Sequence, residues 1–237
     1  MEKREKLYEG KAKIIYATDE PDKVIAHFKD AATAFDAVKK ATIKGKGALN
    51  NTISSFFFQL LNEKGIPTHF VKKLSDREML VYKVEIIPVE VVVRNIAAGS
   101  IVRRLGIPEK TKFSPPLVEF YLKNDELHDP IICEEHIYAM NLAKPEEVSK
   151  MKELALKVND ILKDFMEKQG VILVDFKLEF GRKDGKIVVA DEISPDTCRF
   201  WDAKTGESLD KDRFRFDLGD LIEGYKKILE KIEKGEN

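Results

Sequence analysis

Cysteine is scarce. Cys133 and Cys198 are the only two in 237 residues, far apart and outside any C-x-x-C spacing. That excludes a disulfide framework and a thiolate zinc site and leaves two reduced thiols. No apolar run approaches the roughly 18 residues of a membrane span. The first residues, Met1-Glu-Lys-Arg-Glu-Lys6, carry charge where a secretion signal needs an apolar stretch. The expectation is a cytoplasmic protein with no membrane partner. Neither sign of charge dominates: 41 Lys+Arg face 42 Asp+Glu, a formal net charge of −1. The chain therefore lacks both the basic surplus of a nucleic-acid carrier and the acidic surplus of a solvating tail. Glutamine is down to two residues while 35% are charged, the balance of chains laced with ion pairs at high temperature. Nucleophile signatures are missing as well, with no G-x-S-x-G. His27, His69, His128 and His136 show no metal-ligand spacing.

What is present is enough to fold. At 43% hydrophobic and 9% aromatic, the chain supports one large domain or two small ones sharing a cleft. Its first forty residues read as a meander of short strands, 6–8, 12–17 and 23–28. Leu49, Ile53, Phe56, Phe57, Leu60 and Leu61 then share a helical face that Gly65 ends. Strands follow at 69–74 and 79–84. Residues 85–88 are the expected hinge, and Val89-Glu-Val-Val-Val93 reads as a strand buried on both faces or nearly so. A short helix spans Ser100 to Leu105, and Ser114-Pro-Pro116 predicts a loop over 113–116. Long amphipathic helices run from Pro145 to Gly170 and from Leu218 to Ile232. Strands and helices mix without regular βαβ alternation, so the class is α+β.

The chemistry concentrates in a predicted hairpin, 171–180 with 186–193. After apolar Val171-Ile-Leu-Val174, the residues Asp175, Lys177 and Glu179 alternate with Phe176, Leu178 and Phe180, which puts an acid, a base and an acid on one face. A solvated outer face fits that pattern. So does a Mg²⁺ site, because the partner strand Ile187-Val-Val-Ala190 ends in Asp191-Glu192 and could bring a second carboxylate to the same point. Arg199 follows on a turn set by Ser194-Pro-Asp-Thr197, suited to a phosphate or carboxylate and equally to a surface ion pair. In Arg94-Asn-Ile-Ala-Ala-Gly-Ser100, Ser100 reads as an ordinary N-cap or as part of an anion site that Arg94 reinforces. Tyr8-Glu-Gly-Lys-Ala-Lys13 places Gly10 at a turn with Lys11 and Lys13 beyond it, a loose fit to phosphate binding that matches neither glycine-rich signature.

The register of that hairpin decides whether Glu179 and Asp191 share a face. A two-residue Asp184-Gly185 turn makes paired numbers sum to 369 and opposes Glu179 to Ala190, which sends Asp191 to the other face. An odd-length loop or a bulge gives 368 or 370 and brings Lys177, Glu179 and Asp191 together. The expectation is an odd loop or an equivalent bulge.

Tyr8-Glu-Gly-Lys-Ala-Lys13, Val91 to Ser100, Val174-Asp-Phe-Lys-Leu-Glu-Phe-Gly181 and Asp191-Glu-Ile-Ser-Pro-Asp196 with Arg199 and Trp201 occur in order along nearly the whole chain. Together they closely resemble the phosphoribosylaminoimidazole-succinocarboxamide synthases, the SAICAR synthetases of purine biosynthesis. That resemblance implies a ligase joining carboxyaminoimidazole ribonucleotide to L-aspartate with ATP, in a cytoplasmic homodimer. It implies two lobes, a small antiparallel N-terminal lobe with a helix (1–84), like a kinase N-lobe, over a larger α+β lobe (85–237), with ATP in the cleft. By the same resemblance Gly10, Lys11 and Lys13 meet the ATP phosphates, and Glu179 and Asp191 hold Mg²⁺. Arg94, Ser100 and Arg199 bind the ribonucleotide, Asp175 and Lys177 line the same cleft, and Arg215 fits a family position without an assigned role. The chain departs from the family pattern at Thr197-Cys198.

The missing nucleophile suits this chemistry, because phosphoryl transfer to a carboxylate needs positioning and charge neutralisation. Asp175 and Asp191 are the candidates to take the aspartate proton. Two other functions stay open from sequence: a phosphotransferase acting on a hydroxyl, although H-R-D-x-x-x-x-N and D-F-G are absent, and a nucleotide-sensing module without turnover.

Overall fold

The computed structural model describes residues 2–34 and 38–235. The chain opens with the expected meander, β1 (Lys3–Glu9), β2 (Lys13–Thr18) and β3 (Lys23–Phe28), followed by a separate small hairpin of β4 (Ala31–Ala34) and β5 (Lys39–Thr42). Next come α1 (Lys46–Glu63), β6 (Phe70–Lys73) and β7 (Glu78–Tyr82), which completes an antiparallel sheet in the order β1-β2-β3-β7-β6. The second half contains β8 (Glu85–Ile96), α2 (Ser100–Leu105), β9 (Lys112–Leu122), a 3₁₀ turn at Asp125–Leu127, β10 (Ile131–Ile132), α3 (Glu134–Ala139) and α4 (Pro145–Lys168). It ends with β11 (Val171–Lys183), β12 (Lys186–Ala190), β13 (Cys198–Asp202), α5 (Asp212–Arg215) and α6 (Leu221–Lys234). Its sheet runs β10-β9-β8-β11-β12, with β13 also on β11, and every pairing is antiparallel. The class is α+β, as the irregular alternation implies. No helix among the described residues is long and apolar enough to cross a membrane.

The two sheets meet in one core. Phe28, Phe57 and Met79 from the first half belong to the same buried cluster as Val89, Leu154 and Phe180 from the second. A single parallel bridge, Thr68 to Val189, ties the sheets, with His69 N–H donating to Val189 O at 2.8 Å and Val189 N–H to Pro67 O at 2.9 Å. Helix α4 shows why its sequence is helical. Pro145 occupies the first turn, Glu147 accepts the Lys144 N–H at 2.8 Å, and Val148, Met151, Leu154, Ala155, Val158, Leu162 and Met166 bury one stripe. Each of the larger side chains, Ala155 excepted, contributes roughly 1.5–3 kcal/mol of burial.

Four expectations are revised, each for a local reason. Residues 85–88 belong to strand β8 rather than to a free connecting segment, because Glu85 and Ile86 pair with Arg182 and Gly181. The 89–93 run is fully buried on one face and half-buried on the other: Val89, Val91 and Val93 face the core while Glu90 and Val92 line a cleft. Segment 113–116 is strand β9 rather than loop. Its prolines are tolerated because β10 pairs only with Phe120 and Tyr121, leaving that end of β9 an edge. The last helix starts at Leu221, since Gly219 at φ 122° interrupts the chain and Asp220 caps the helix through the Glu223 N–H at 3.0 Å.

Candidate active site

Between the sheets lies a cleft of about 830 Å³. Gly10, Lys11, Lys13, Arg94, Asp175, Lys177, Glu179, Asp191, Arg199 and Arg215 all line it. Ser100 stands behind it, its hydroxyl 3.3 Å from Arg94 Nη2 and 3.4 Å from Arg104 Nη1. Gly99 rather than Ser100 holds the N-cap position of α2.

Strand β11 builds the floor, and a bulge decides which side chains point up. Leu173 pairs with Phe200 and Asp175 with Arg199, so Val174 is an extra residue on β11. Before it, Val171 and Leu173 face the main core. After it, Phe176, Leu178 and Phe180 do, so the parity has flipped and Asp175, Lys177 and Glu179 face the cleft. On the β12 side the turn is the two-residue one. Asp184 (φ 50°) and Gly185 (φ 73°) connect the strands, Glu179 opposes Ala190, and the sum is 369, not the odd-loop register expected. The ladder stops at Ala190, and Asp191 adopts φ 66° just beyond it. That left-handed residue breaks the strand alternation, and Asp191 turns into the cleft toward Lys177 despite the even register.

The result is a cluster of lysines and carboxylates. Lys177 Nζ lies 2.7 Å from both Glu90 Oε1 and Glu179 Oε1 and 4.0 Å from Asp191 Oδ2. Lys123 reaches Glu179 Oε1 at 2.8 Å, and Lys13 meets Asp191 Oδ1 at 2.5 Å and Glu192 Oε1 at 3.0 Å. Lys11 diverges to the rim, 2.7 Å from Asp125. Burial alone favours the neutral form of Asp191, but Lys13 and then Lys177 outweigh it and hold the carboxyl well below its usual range. Burial likewise opposes the Lys177 ammonium, and Glu179 and Glu90 raise it well above the ordinary lysine value. Glu90, directly opposite Glu179 across the strands, is raised by burial despite Lys177.

A second cluster continues the cleft as an alternating chain of charges. Asp175 is flanked by Arg94 on β8 and Arg199 on β13. Arg94 Nη1 donates to Asp175 Oδ2 at 2.6 Å, and Arg199 Nη1 to its two oxygens at 3.0 and 2.9 Å. Arg94 Nε also reaches Glu119 at 2.7 Å, while Arg199 Nε and Arg215 Nη1 share Asp212 at 2.8 and 2.7 Å. Gly99 makes room for this: a Cβ there would sit 2.4 Å from Arg199 Nη2, and its φ is 66°.

A family model for SAICAR synthetase matches residues 6–232. Phosphoribosylaminoimidazole-succinocarboxamide synthase of Persephonella marina is 86% identical over 236 residues, covering 100% of this chain and 99% of its own. The chain belongs to the SAICAR synthetase family. The enzyme of that name from Ehrlichia chaffeensis superposes with a TM-score of 0.94 at 52% identity, over 97% of this chain and 98% of its own. A SAICAR synthetase solved in complex with ADP gives 0.93 at 57% identity, over 96% and 97%. The chain is accordingly an ATP-dependent carbon–nitrogen ligase of purine biosynthesis.

For a SAICAR synthetase the site holds more than its sequence motifs reveal. Glu90 and Lys123 belong to the lysine–carboxylate cluster, yet Glu90 hides in a valine run and Lys123 follows the last residue of β9. The alternation Glu90, Val92, Arg94 was the available signal. The 191–198 loop is pinned from outside the motifs. Ile193 N–H donates to Ser54 Oγ at 3.0 Å, and Asp196 bonds both Lys46 and Tyr225, two buried side chains. Thr197 and Cys198, the departure from the family pattern, fit there: Thr197 Oγ1 accepts the Ser194 N–H at 3.2 Å, and Cys198 is buried at the start of β13. No group of three or more His, Cys, Asp or Glu forms a metal cage among the described residues. The carboxylates of Glu179 and Asp191 nevertheless fit Mg²⁺, which takes one or two protein carboxylates and completes its shell with water and phosphate.

Proposed function

We propose that the chain joins the carboxylate of carboxyaminoimidazole ribonucleotide to the amine of L-aspartate, converting ATP to ADP and phosphate through an acyl phosphate. The observation that carries this reading is the single cleft that connects a lysine–carboxylate cluster to an arginine cluster. Residues 1–84 cover the nucleotide, and residues 85–237 hold the substrates and the metal. Ile15, Val24, Ala26 and Val81 offer an apolar wall for a purine ring, with Gly10, Lys11 and Lys13 on the phosphates. Glu179 and Asp191 would hold Mg²⁺, which when bound neutralises phosphate charge and polarises the phosphoryl group.

Lys177 stands between Glu179 and Asp191, where charge moves during phosphoryl transfer. Arg199, Arg215 and Arg94 with Ser100 face the ribonucleotide, and Asp175 orients the first and third of these arginines. Asp175 and Asp191 stay the candidates to take the aspartate proton, each ion-paired to two cations. The test is ADP formation measured with ribonucleotide or aspartate omitted in turn. The ligase reading expects ADP release to require both, and equal rates in all mixtures would contradict it.

A further inference from the structure

Among the described residues, each at least partly buried cation of the cleft has a carboxylate within ion-pair distance, save one. Lys13 has Asp191 at 2.5 Å, Lys177 has Glu179 at 2.7 Å, Arg199 has Asp175 at 2.9 Å and Arg215 has Asp212 at 2.7 Å. Lys211 lines the same cleft and makes no side-chain ion pair or hydrogen bond. Its backbone fixes its place: its N–H donates to Pro195 O at 3.0 Å, and its carbonyl accepts the Phe214 and Arg215 N–H groups at 3.0 Å each.

The charges that Lys211 feels are Asp196, Arg215, Lys46 and Glu192. Both acids are already engaged. Asp196 bonds Lys46 and Tyr225, and Glu192 accepts from Lys13 at 3.0 Å and Ser194 Oγ at 2.8 Å. Burial holds the Lys211 ammonium below its ordinary value, and Asp196 does not restore it. A sequestered cation without a near counter-ion is costly unless an anionic ligand completes it.

We propose that Lys211 anchors a carboxylate of the amino-acid substrate, L-aspartate. This rests on the ligase reading above, in which the lysine–carboxylate cluster serves ATP and the Asp175 arginines serve the ribonucleotide. Through its N–H on Pro195 O, Lys211 adjoins the 192–197 loop that links those clusters, and it lines the cleft with Thr197 and Arg215. An amine attacking at their junction brings two carboxylates, and one must be held while the amine is aligned.

Lys211→Met and Lys211→Ala test this, with KM measured for each substrate in turn. Both should raise KM for L-aspartate about tenfold or more, the scale of one charge-assisted contact, with KM for ATP and ribonucleotide nearly unchanged. Thermal stability should hold or improve, since an unpaired buried charge is removed. An unchanged KM for aspartate, a rise confined to the ribonucleotide, or failure of both variants to fold overturns the assignment. If wild-type enzyme lacks aspartate-dependent ADP release, the ligase reading falls and takes the anchor with it. Wild-type dependence with unaltered variants removes the anchor alone.

Discussion

Asp191 does two things that no other residue type does equally well. It adopts φ 66°, which asparagine and aspartate tolerate better than other side chains, and it brings a carboxylate to Lys13 and Lys177. Asp191→Asn therefore keeps the turn and removes only the charge. Turnover should fall about 100-fold or more with the melting temperature nearly unchanged, and Mg²⁺ titration of activity should shift to higher concentration. Wild-type turnover and Mg²⁺ dependence would refute the metal role. The two arginines on Asp175 separate in the same way. Arg94 has a side chain only 4% exposed and is bonded to Asp175, Glu119, Ser100 and Tyr121, whereas Arg199 is 16% exposed. Arg199→Ala should cost about 1.5–3 kcal/mol in use of the ribonucleotide, read as KM. Arg94→Ala should also destabilise the fold by about 3–5 kcal/mol, because Asp175 and Glu119 lose a buried partner. Urea unfolding of both variants distinguishes the roles.

At the scale of elements, the helices α1 and α4 were legible because their apolar spacing, Pro145 and the glycines at 65 and 170 all agree. The floor of the site was legible as a face, Asp175-Lys177-Glu179, but not as a register. The even turn at Asp184-Gly185 argued against a shared site, and only the left-handed Asp191 reverses that. A bulge at Val174 and one positive φ are invisible to period-2 reasoning. Gly99 is the converse, a loop glycine whose purpose appears only when Arg199 is seen against it. Gly99→Ala should displace Arg199 and raise KM for the ribonucleotide several-fold, with a loss of about 1 kcal/mol of stability from the strained φ. Unchanged kinetics would mean that the Arg199 placement is unimportant. Helix α4 is anchored at its start by Glu147, which meets Arg182 Nε at 2.6 Å and Nη2 at 2.9 Å. The Arg182 hydrogen bonds, chiefly, lower its pKa from 4.5 to about 2. A depressed carboxyl stabilises above its unfolded pKa and loses that contribution as pH falls, so stability should drop between about pH 4.5 and 2. Glu147→Gln should flatten that decline in urea melts by an amount on the order of 2 kcal/mol. An identical pH profile would count against the pair.

For the molecule as a whole, the family motifs marked the floor and both clusters, while the supports came from elsewhere. Lys46 at the start of α1 and Tyr225 on α6 clamp Asp196, so the loop carrying the site is held by elements 150 and 29 residues away in sequence. Such long-range partners have no local signature. Both sheets also contribute side chains to one core, and the cleft that joins the two clusters sits against it. Under the proposed ligase reading, this cleft couples phosphoryl transfer to amide formation. Carboxyaminoimidazole ribonucleotide labelled with ¹⁸O in its carboxylate tests it directly. An acyl phosphate requires one carboxylate oxygen to leave with the phosphate, so the account predicts one ¹⁸O in each inorganic phosphate, formed one-to-one with the ligated product. Unlabelled phosphate accompanying product would contradict it.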